Sequence, residues 1–314
     1  MNALATLAPS LPAALQTAVR EAVAASTAHN TERAYRADAR AFVAFAEQQG
    51  LAAMPAAPAT VAAFLTAEAE AGKAVATVRR RAASIAAWHR RQGEANPCAS
   101  ELVKATLRGL ARQRGTDQRQ AAALTRTDAA VIRSRLGDGV KDCRDLALIL
   151  CGRDLLSRSS ELVALDVSAV AFEDDGATVA LRRIKTSTEA GTFWLGREAA
   201  EALRAWLTQA GITEGAIFRS ITKGGRVTSR RLTTRDIGRI LKDRAKQARL
   251  QHAEGISGHS LRVGMAVDLA VSHIDLASLM QAGSWKSPVM AARYTRKISA
   301  KRGAVAQYYA RLGI

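Results

Sequence analysis

Near its C-terminal end the chain gathers side chains that could hold an anion. His259 and Arg262 stand three apart in GHSLRVG, Trp285 follows in AGSWKS, and Tyr294 lies in ARYTR. Residues three apart on a helix share a face, so imidazole and guanidinium can point the same way. Two further cations precede them. Arg158 closes the apolar run KDCRDLALILCGRDLLS, with Glu161 three residues on, and Lys185 follows RRI. An arginine leaving a buried helix costs free energy unless it meets an anion. The set is cationic groups, one indole N–H and one phenol. No rival set competes: Asp166, Asp174, Asp175 and Asp268 fall in unrelated segments, which argues against metal-assisted chemistry, and there is no GxxxxGK[ST] phosphate loop.

The elements that must position these groups are legible around them. Leu261, Met265 and Leu269 recur every four residues, which predicts a helix whose buried side runs along those three. Ser287 followed by Pro288 predicts an N-cap and first turn of a short helix ending near Tyr294. Helices are predicted over 125–136 and 141–157, the second strongly apolar around Leu146, Leu148, Ile149 and Leu150. ATVALRRI (177–184) and TFWLG (192–196) predict a hairpin whose loop starts with Lys185. A helix over 197–210, a strand-like AIF around 217 and a glycine-rich loop at 223–226 follow. A basic helix over 233–250 then sets Arg235, Arg239, Lys242 and Lys246 on one face and Ile237, Leu241 and Ala245 on another. The tail after Tyr294 forms one more amphipathic helix through Val305, Tyr308, Tyr309 and Leu312.

Residues 1–120 read as nearly all helix, with apolar periods over 11–25, 31–48, 59–71, 75–91 and 100–112 and Pro55, Pro58 and Pro97 between them. Thr31, Tyr35, Phe42 and Phe45 fall on a stripe suited to a bundle core. Lys73, Arg79, Arg80 and Arg81, then Arg90 and Arg91, form a cationic cluster that as a group suits phosphate contact, although any one of them alone reads as a solvated helix residue. QRGTDQRQ (113–120) is polar and aperiodic, as a linker is.

The formal charge is +18 and the pI near 10.8. Residues 1–120 carry 15 Lys/Arg against 9 Asp/Glu and residues 121–314 carry 31 against 19, so both halves are basic and a polyanionic partner is expected. Cys98, Cys143 and Cys151 make no CxxC pair, which suits a reducing cytoplasm without a zinc site or disulfide framework. No basic residue precedes Arg20, unlike the charged start of a secretory leader, and no apolar run reaches the length of a membrane span.

GHSLRVGMAVDLA, LMQAGSW and ARYTR, with the Arg of LLSRSSELVAL and the Lys of RRIKTS in order before them, resemble the tyrosine recombinase (phage integrase) family. The resemblance implies a mainly α, two-domain DNA clamp: a helical N-terminal core-binding domain (1–117) and a mainly helical catalytic domain (118–314) with a small antiparallel sheet. It implies that Tyr294 attacks a phosphodiester of double-stranded DNA to give a 3′-phosphotyrosyl link, with neither metal nor other cofactor. Arg158 and Arg262 become phosphate clamps, Trp285 an N–H donor or plain core, His259 a base or a phosphate donor, and Lys185 the acid for the departing 5′-oxygen. Glu161 becomes an orienting residue or a surface acid. Lys73, Arg79, Arg80, Arg81, Arg235 and Arg239 are expected at the DNA. The implied partners are an inverted-repeat recombination site and, through the C-terminal helix, three further copies in a tetramer, with no membrane and a place at the nucleoid. A non-catalytic helix-turn-helix protein is the competing reading, since IDLASLMQAGSWKSPVMAARY can pass for that motif, but it leaves Arg158, Lys185 and Tyr294 unexplained. A type IB-like topoisomerase shares the chemistry and differs in needing no partner site.

Overall fold

The structure is a computed structural model of the 314-residue chain and describes residues 12–25, 29–116, 120–183, 190–295 and 304–313. Contacts divide the chain into two units, Met1–Arg119 and Gln120–Ile314.

The first unit is helical throughout its described residues: α1 (Ala13–Ala25), α2 (His29–Gln48), α3 (Pro58–Glu70), α4 (Val75–Gln92) and α5 (Glu101–Arg114). Local chemistry sets the ends. Pro58 opens α3, Gly93 closes α4 in the left-handed region (φ 79°), and the Ser100 hydroxyl accepts from the Val103 N–H at the start of α5. Phe42, Val61, Phe64, Leu65, Val78, Ile85 and Val103 form the core, with the rings of Phe42 and Phe45 tilted against Phe64 at 5.2 and 5.4 Å. The predicted aromatic stripe is shorter than the sequence suggests. Thr31 is exposed and Tyr35 only half-buried, because the buried face of α2 begins at Asp38. Asp38 is stabilised there by the Ser84 hydroxyl at 2.7 Å and by Arg80. Buried His89 accepts the Ala56 N–H at 3.0 Å, so its Nδ1 carries the proton and donates to the Ile85 carbonyl at 2.9 Å, pinning the loop before α3 onto α4.

The second unit is built on α7. α6 (Arg126–Arg133) starts from a Thr125–Asp128 capping box and α7 (Val140–Asp154) follows. Next come α8 (Ser159–Ala164), the antiparallel strands β1 (Val170–Phe172), β2 (Gly176–Arg182) and β3 (Ala190–Gly196), and α9 (Arg197–Ala210). Ala177, Val179 and Leu181 alternate toward a core shared with Leu148, Ile149, Leu203 and Trp206. The hairpin of β4 (Arg219–Ile221) and β5 (Val227–Arg231) leads into α10 (Thr234–Gln247), whose Ile237, Leu241 and Ala245 are buried as the spacing predicts. The sheet carries a third strand that the sequence did not announce, β1, in register as Val170↔Val179. AIF is not a strand. Ala216 makes one bridge to Asp166, the Ile217 N–H donates to Leu165, and the Phe218 carbonyl accepts from Leu232, so successive residues bond to different segments.

α11 (Ser260–Val271), α12 (Leu276–Gly283) and α13 (Pro288–Thr295) enclose a second, smaller core of Leu156, Val263, Ala266, Leu279, Trp285, Ala291 and Tyr294. The buried side of α11 is Leu261 to Gly264 and Ala266, while Met265 and Leu269 are half-buried. The predicted stripe fails because α11 is gripped from more than one side. The Leu124 N–H donates to the Ser260 carbonyl at 3.0 Å, and the Leu124 carbonyl lies where a Cβ on Gly264 would meet it at 1.8 Å. α14 (Ala304–Leu312) ends the described chain.

Gly264→Ala is therefore expected to destabilise the protein by about 1–3 kcal/mol or more, since backbone must shift to admit one methyl. Gly109→Ala in α5, where an added Cβ meets open space, should instead be neutral or stabilise by roughly 0.5–1 kcal/mol. Urea unfolding of both variants reads the contrast.

Candidate active site

α7 ends at Asp154, three residues earlier than its apolar pattern suggests, because Leu156 takes φ 42° and turns the chain back. A leucine in the left-handed region is held there by its surroundings, and it is buried. Its carbonyl thereby faces inward, accepting from Arg262 Nη1 at 2.6 Å and from Arg183 Nη1 at 3.2 Å. Arg158 comes two residues later. It begins α8 rather than ending α7, so the anion it requires is supplied one helical turn on. Glu161 accepts the Arg158 backbone N–H at 2.8 Å through Oε2 and the Arg158 guanidinium through Oε1. Glu161 is 1% exposed and also accepts from Arg183 Nη1 at 2.7 Å. Burial alone would push this carboxyl up, but the Arg158 N–H, the Arg158 guanidinium and Arg183 together hold it below the usual carboxylate range.

His259 and Arg262 do not share a helix face in the way their spacing implies, because His259 is the N-cap of α11 and only Arg262 lies within it. They converge all the same. The Ser159 hydroxyl donates to the Gly258 carbonyl at 2.9 Å, and a Cβ at Gly258 would fall 2.1 Å from that hydroxyl, so the turn before His259 lies directly on the start of α8. Arg262 is 1% exposed. Its second nitrogen donates to the Gly283 carbonyl at the end of α12, and its guanidinium lies over the Trp285 ring, 5.0 Å from the centroid. A Cβ at Gly283 would meet that indole at 2.6 Å. The Trp285 ring in turn stacks on Tyr294 at 4.9 Å and 24°, fixing the phenol of α13, whose hydroxyl is 2.8 Å from His259 Nε2. The Ser287 hydroxyl accepts the Val289 N–H at 3.3 Å at the start of α13. The Trp285 indole N–H is buried and has no acceptor among the described residues. Such an orphan donor costs free energy unless an acceptor arrives.

Burial, then Arg262, then Arg158 pull the His259 pKa down to about 4, so its imidazole is neutral near pH 7. With the proton on Nδ1, Nε2 can accept the phenolic hydrogen of Tyr294. Burial, then Arg158, lower the Arg262 pKa to about 10, which leaves it charged.

Six of the residues singled out in the sequence thus meet in one place: Arg158, Glu161, His259, Arg262, Trp285 and Tyr294. Lys185 lies outside the described residues. Of the surface cations, Lys73 and Arg79 are exposed around the start of α4, while Arg80 is paired with Asp38 and Arg81 with Glu68 at 2.6 Å within their own unit. On α10, Arg235 is exposed and Arg239 is exposed and paired with Asp236 at 3.1 Å, whereas Lys242 and Lys246 converge on Glu254 at 2.8 and 2.7 Å. The carboxylates set aside above stand apart from the site: Asp166 pairs with Arg231 at 2.6 Å, Asp174 and Asp175 are exposed before β2, and Asp268 takes Arg153 at 2.6 Å and the Arg126 N–H at 2.7 Å. Sequence reasoning missed Arg183. Its one signal was the doublet RRI just before Lys185, read as strand.

The Phage integrase family matches residues 94–301, and the phage integrase N-terminal SAM-like domain matches residues 22–91. The chain belongs to the phage integrase family, the tyrosine site-specific recombinases, which cleave and rejoin DNA through a phosphotyrosyl link. An integrase/recombinase XerD homologue of Selenomonas ruminantium is 30% identical over 283 residues, covering 86% of this chain and 82% of its own. Cre recombinase of Escherichia phage P1 is 27% identical over 254 residues, 74% of each chain. In fold, the Tn1549 transposon integrase in complex with transposon right-end DNA superposes with a TM-score of 0.65 at 16% identity, over 92% of this chain and 95% of that one. XerH bound to its difH substrate after cleavage gives 0.60 at 17%, over 81% and 72%. Among the described residues no helix is long and apolar enough to cross a membrane.

In the DNA-free protein the His259 imidazole is expected to show no protonation between pH 8 and 5.5, because its folded pKa lies well below the ordinary 6.5. The unfolded chain binds the extra proton first, so the contribution of His259 to stability is complete above about pH 6.5 and lost as pH falls toward 4. An oxyanion seated between Arg158 and Arg262 offsets their charge and should raise that pKa. Imidazole NMR with and without vanadate reads both.

Proposed function

We propose that this recombinase cuts one strand of a double-stranded, inverted-repeat site with Tyr294 and that Arg158, His259, Arg262, Trp285 and Lys185 divide the remaining work. The observation that carries the reading is the 2.8 Å contact between the Tyr294 hydroxyl and a histidine that burial and then the neighbouring arginines keep neutral. His259 takes the phenolic proton as the oxygen attacks phosphorus. The bond between phosphorus and the 5′-oxygen breaks, leaving a 3′-phosphotyrosyl ester and a 5′-hydroxyl, and a partner strand's 5′-hydroxyl reverses the step. Arg158 and Arg262 stabilise the charge that develops on the non-bridging oxygens, where a donor contributes more to the transition state than to the ground state. The Trp285 N–H, without an acceptor among the described residues, supplies a third donor. Lys185 protonates the leaving 5′-oxygen, a role supported by the family resemblance of RRIKTS alone. Glu161 orients Arg158 from behind.

DNA is held beyond the site by the +18 chain, with Lys73, Arg79 and Arg235 exposed and in no ion pair among the described residues, and Arg80, Arg81 and Arg239 tethered by acids of their own units. Synapsis uses four copies and takes place at the nucleoid. What supports an exchange of tails is α14: Val305 is 72% and Tyr308 61% exposed, with Tyr309 and Leu312 about half exposed, an apolar face that its own chain leaves uncovered among the described residues.

With a nicked suicide duplex, the wild type should form a covalent adduct and Tyr294→Phe none, while both bind the site. Arg158→Ala and Arg262→Ala should each slow single-turnover cleavage about 10²–10³-fold. Adduct formation by Tyr294→Phe would overturn the assignment. Deleting 299–314 should spare binding by one copy and abolish exchange between two sites, and unchanged recombination would exclude the tail-exchange reading.

A further inference from the structure

We infer that Arg183 is a positioning residue for the phosphate clamp, a third arginine that fixes Arg158 and Arg262 relative to each other without touching DNA. The inference rests on the reading of Arg158 and Arg262 as the clamp. Both terminal nitrogens of Arg183 have two protein acceptors each, which leaves no terminal N–H for a phosphate, whereas those of Arg262 have one each; yet Arg183 shares a partner with each clamp arginine. Its Nη1 donates to Glu161 Oε2 at 2.7 Å, while the other oxygen of that carboxylate takes Arg158. The same nitrogen lies 3.2 Å from the Leu156 carbonyl, which Arg262 holds at 2.6 Å. Its Nη2 donates to the Leu155 carbonyl at 2.6 Å and lies 3.5 Å from the carbonyl of Ala282, the residue before the Gly283 carbonyl that binds Arg262. Behind it, the Phe193 ring of β3 supports the guanidinium plane at 4.4 Å.

One planar group therefore ties together the α7–α8 turn, the carboxylate behind Arg158, the end of β2 and the end of α12. Geometry of this kind needs a guanidinium. A lysine ammonium is a point donor and cannot span a carboxylate and three carbonyls in one plane. The like charges of the three arginines would otherwise push apart, and Glu161 with the inward carbonyls offsets that repulsion only while Arg183 keeps them aligned.

The test compares single-turnover cleavage of a nicked duplex carrying either a normal scissile phosphate or a methylphosphonate, whose methyl group removes one charged oxygen and with it part of the demand for the clamp. Arg183→Lys and Arg183→Met are expected to bind the duplex as tightly as wild type. They should cleave the normal phosphate about 10–100-fold more slowly, a smaller loss than removing a clamp donor itself. On the methylphosphonate the gap to wild type should narrow by about tenfold, as it should for Arg158→Ala. Equal losses on both substrates for the Arg183 variants, with Arg158→Ala still narrowing, would overturn the inference, as would a matching loss of DNA affinity. If Arg158→Ala itself fails to narrow, the clamp reading of Arg158 is wrong and the inference falls with it. Thermal unfolding identifies a variant that does not fold, and the charge-retaining Arg183→Lys then decides the outcome alone.

Discussion

A guanidinium with almost no exposed surface is held by acceptors inside the protein, and Arg262 has two main-chain carbonyls and the face of an indole. Much of the second unit's local geometry follows from that requirement. Leu156 adopts a left-handed turn and presents one carbonyl, α12 stops at Gly283 to present the other, and the missing side chain there admits the Trp285 ring. Because Arg262 uses its nitrogens on carbonyl dipoles rather than on a carboxylate, its charge is not cancelled. Burial suppresses protonation of His259, and the positive field of Arg262 and then Arg158 adds to it.

The same field explains how a histidine can serve beside a phenol. An imidazole with an ordinary pKa would be partly protonated near pH 6.5 and unable to accept a hydrogen. Here burial and two arginines keep Nε2 an acceptor at 2.8 Å from the Tyr294 hydroxyl. On the proposed mechanism, the negative charge of an entering phosphodiester would offset the arginines and make the proton more welcome on His259 at the moment the phenol must lose it. Substrate binding and base strength would then be coupled through the two guanidiniums. The buried indole N–H of Trp285, without an acceptor among the described residues, fits the same proposal as a donor that an arriving oxygen would satisfy.

Glu161 shows why a buried acid belongs in a site whose chemistry needs only cations. Three arginines close together repel, and a single carboxylate accepting from two of them lets the cluster exist while remaining net positive. The acid's own burial is tolerated because a main-chain N–H and two guanidiniums surround it.

Most of the helices were legible in the chain, since their apolar period is strong and their ends carry punctuation such as Thr125–Asp128, Pro58 and Ser287–Pro288. The residue types of the site were legible too, because an arginine, a histidine, a tryptophan and a tyrosine in that order are unusual company. Sequence alone therefore determined the family, the phenol and the cationic character of its surroundings. It could not determine which carbonyls those cations face, because backbone acceptors have no letter in the sequence. Arg183 looked like a strand residue for that reason, β1 went unannounced because three residues carry too little alternation to register, and the AIF segment was misread because Ala216 bridges to Asp166, far along the chain. The alignment of Leu261, Met265 and Leu269 misled for the related reason that α11 is enclosed from more than one side, which a one-faced pattern cannot express. Tertiary structure alone decided that His259 caps a helix rather than riding on it, and so meets Tyr294. Hydrophobic spacing is written locally in the sequence, but the convergence of charges on one point is fixed only when distant backbones close around them.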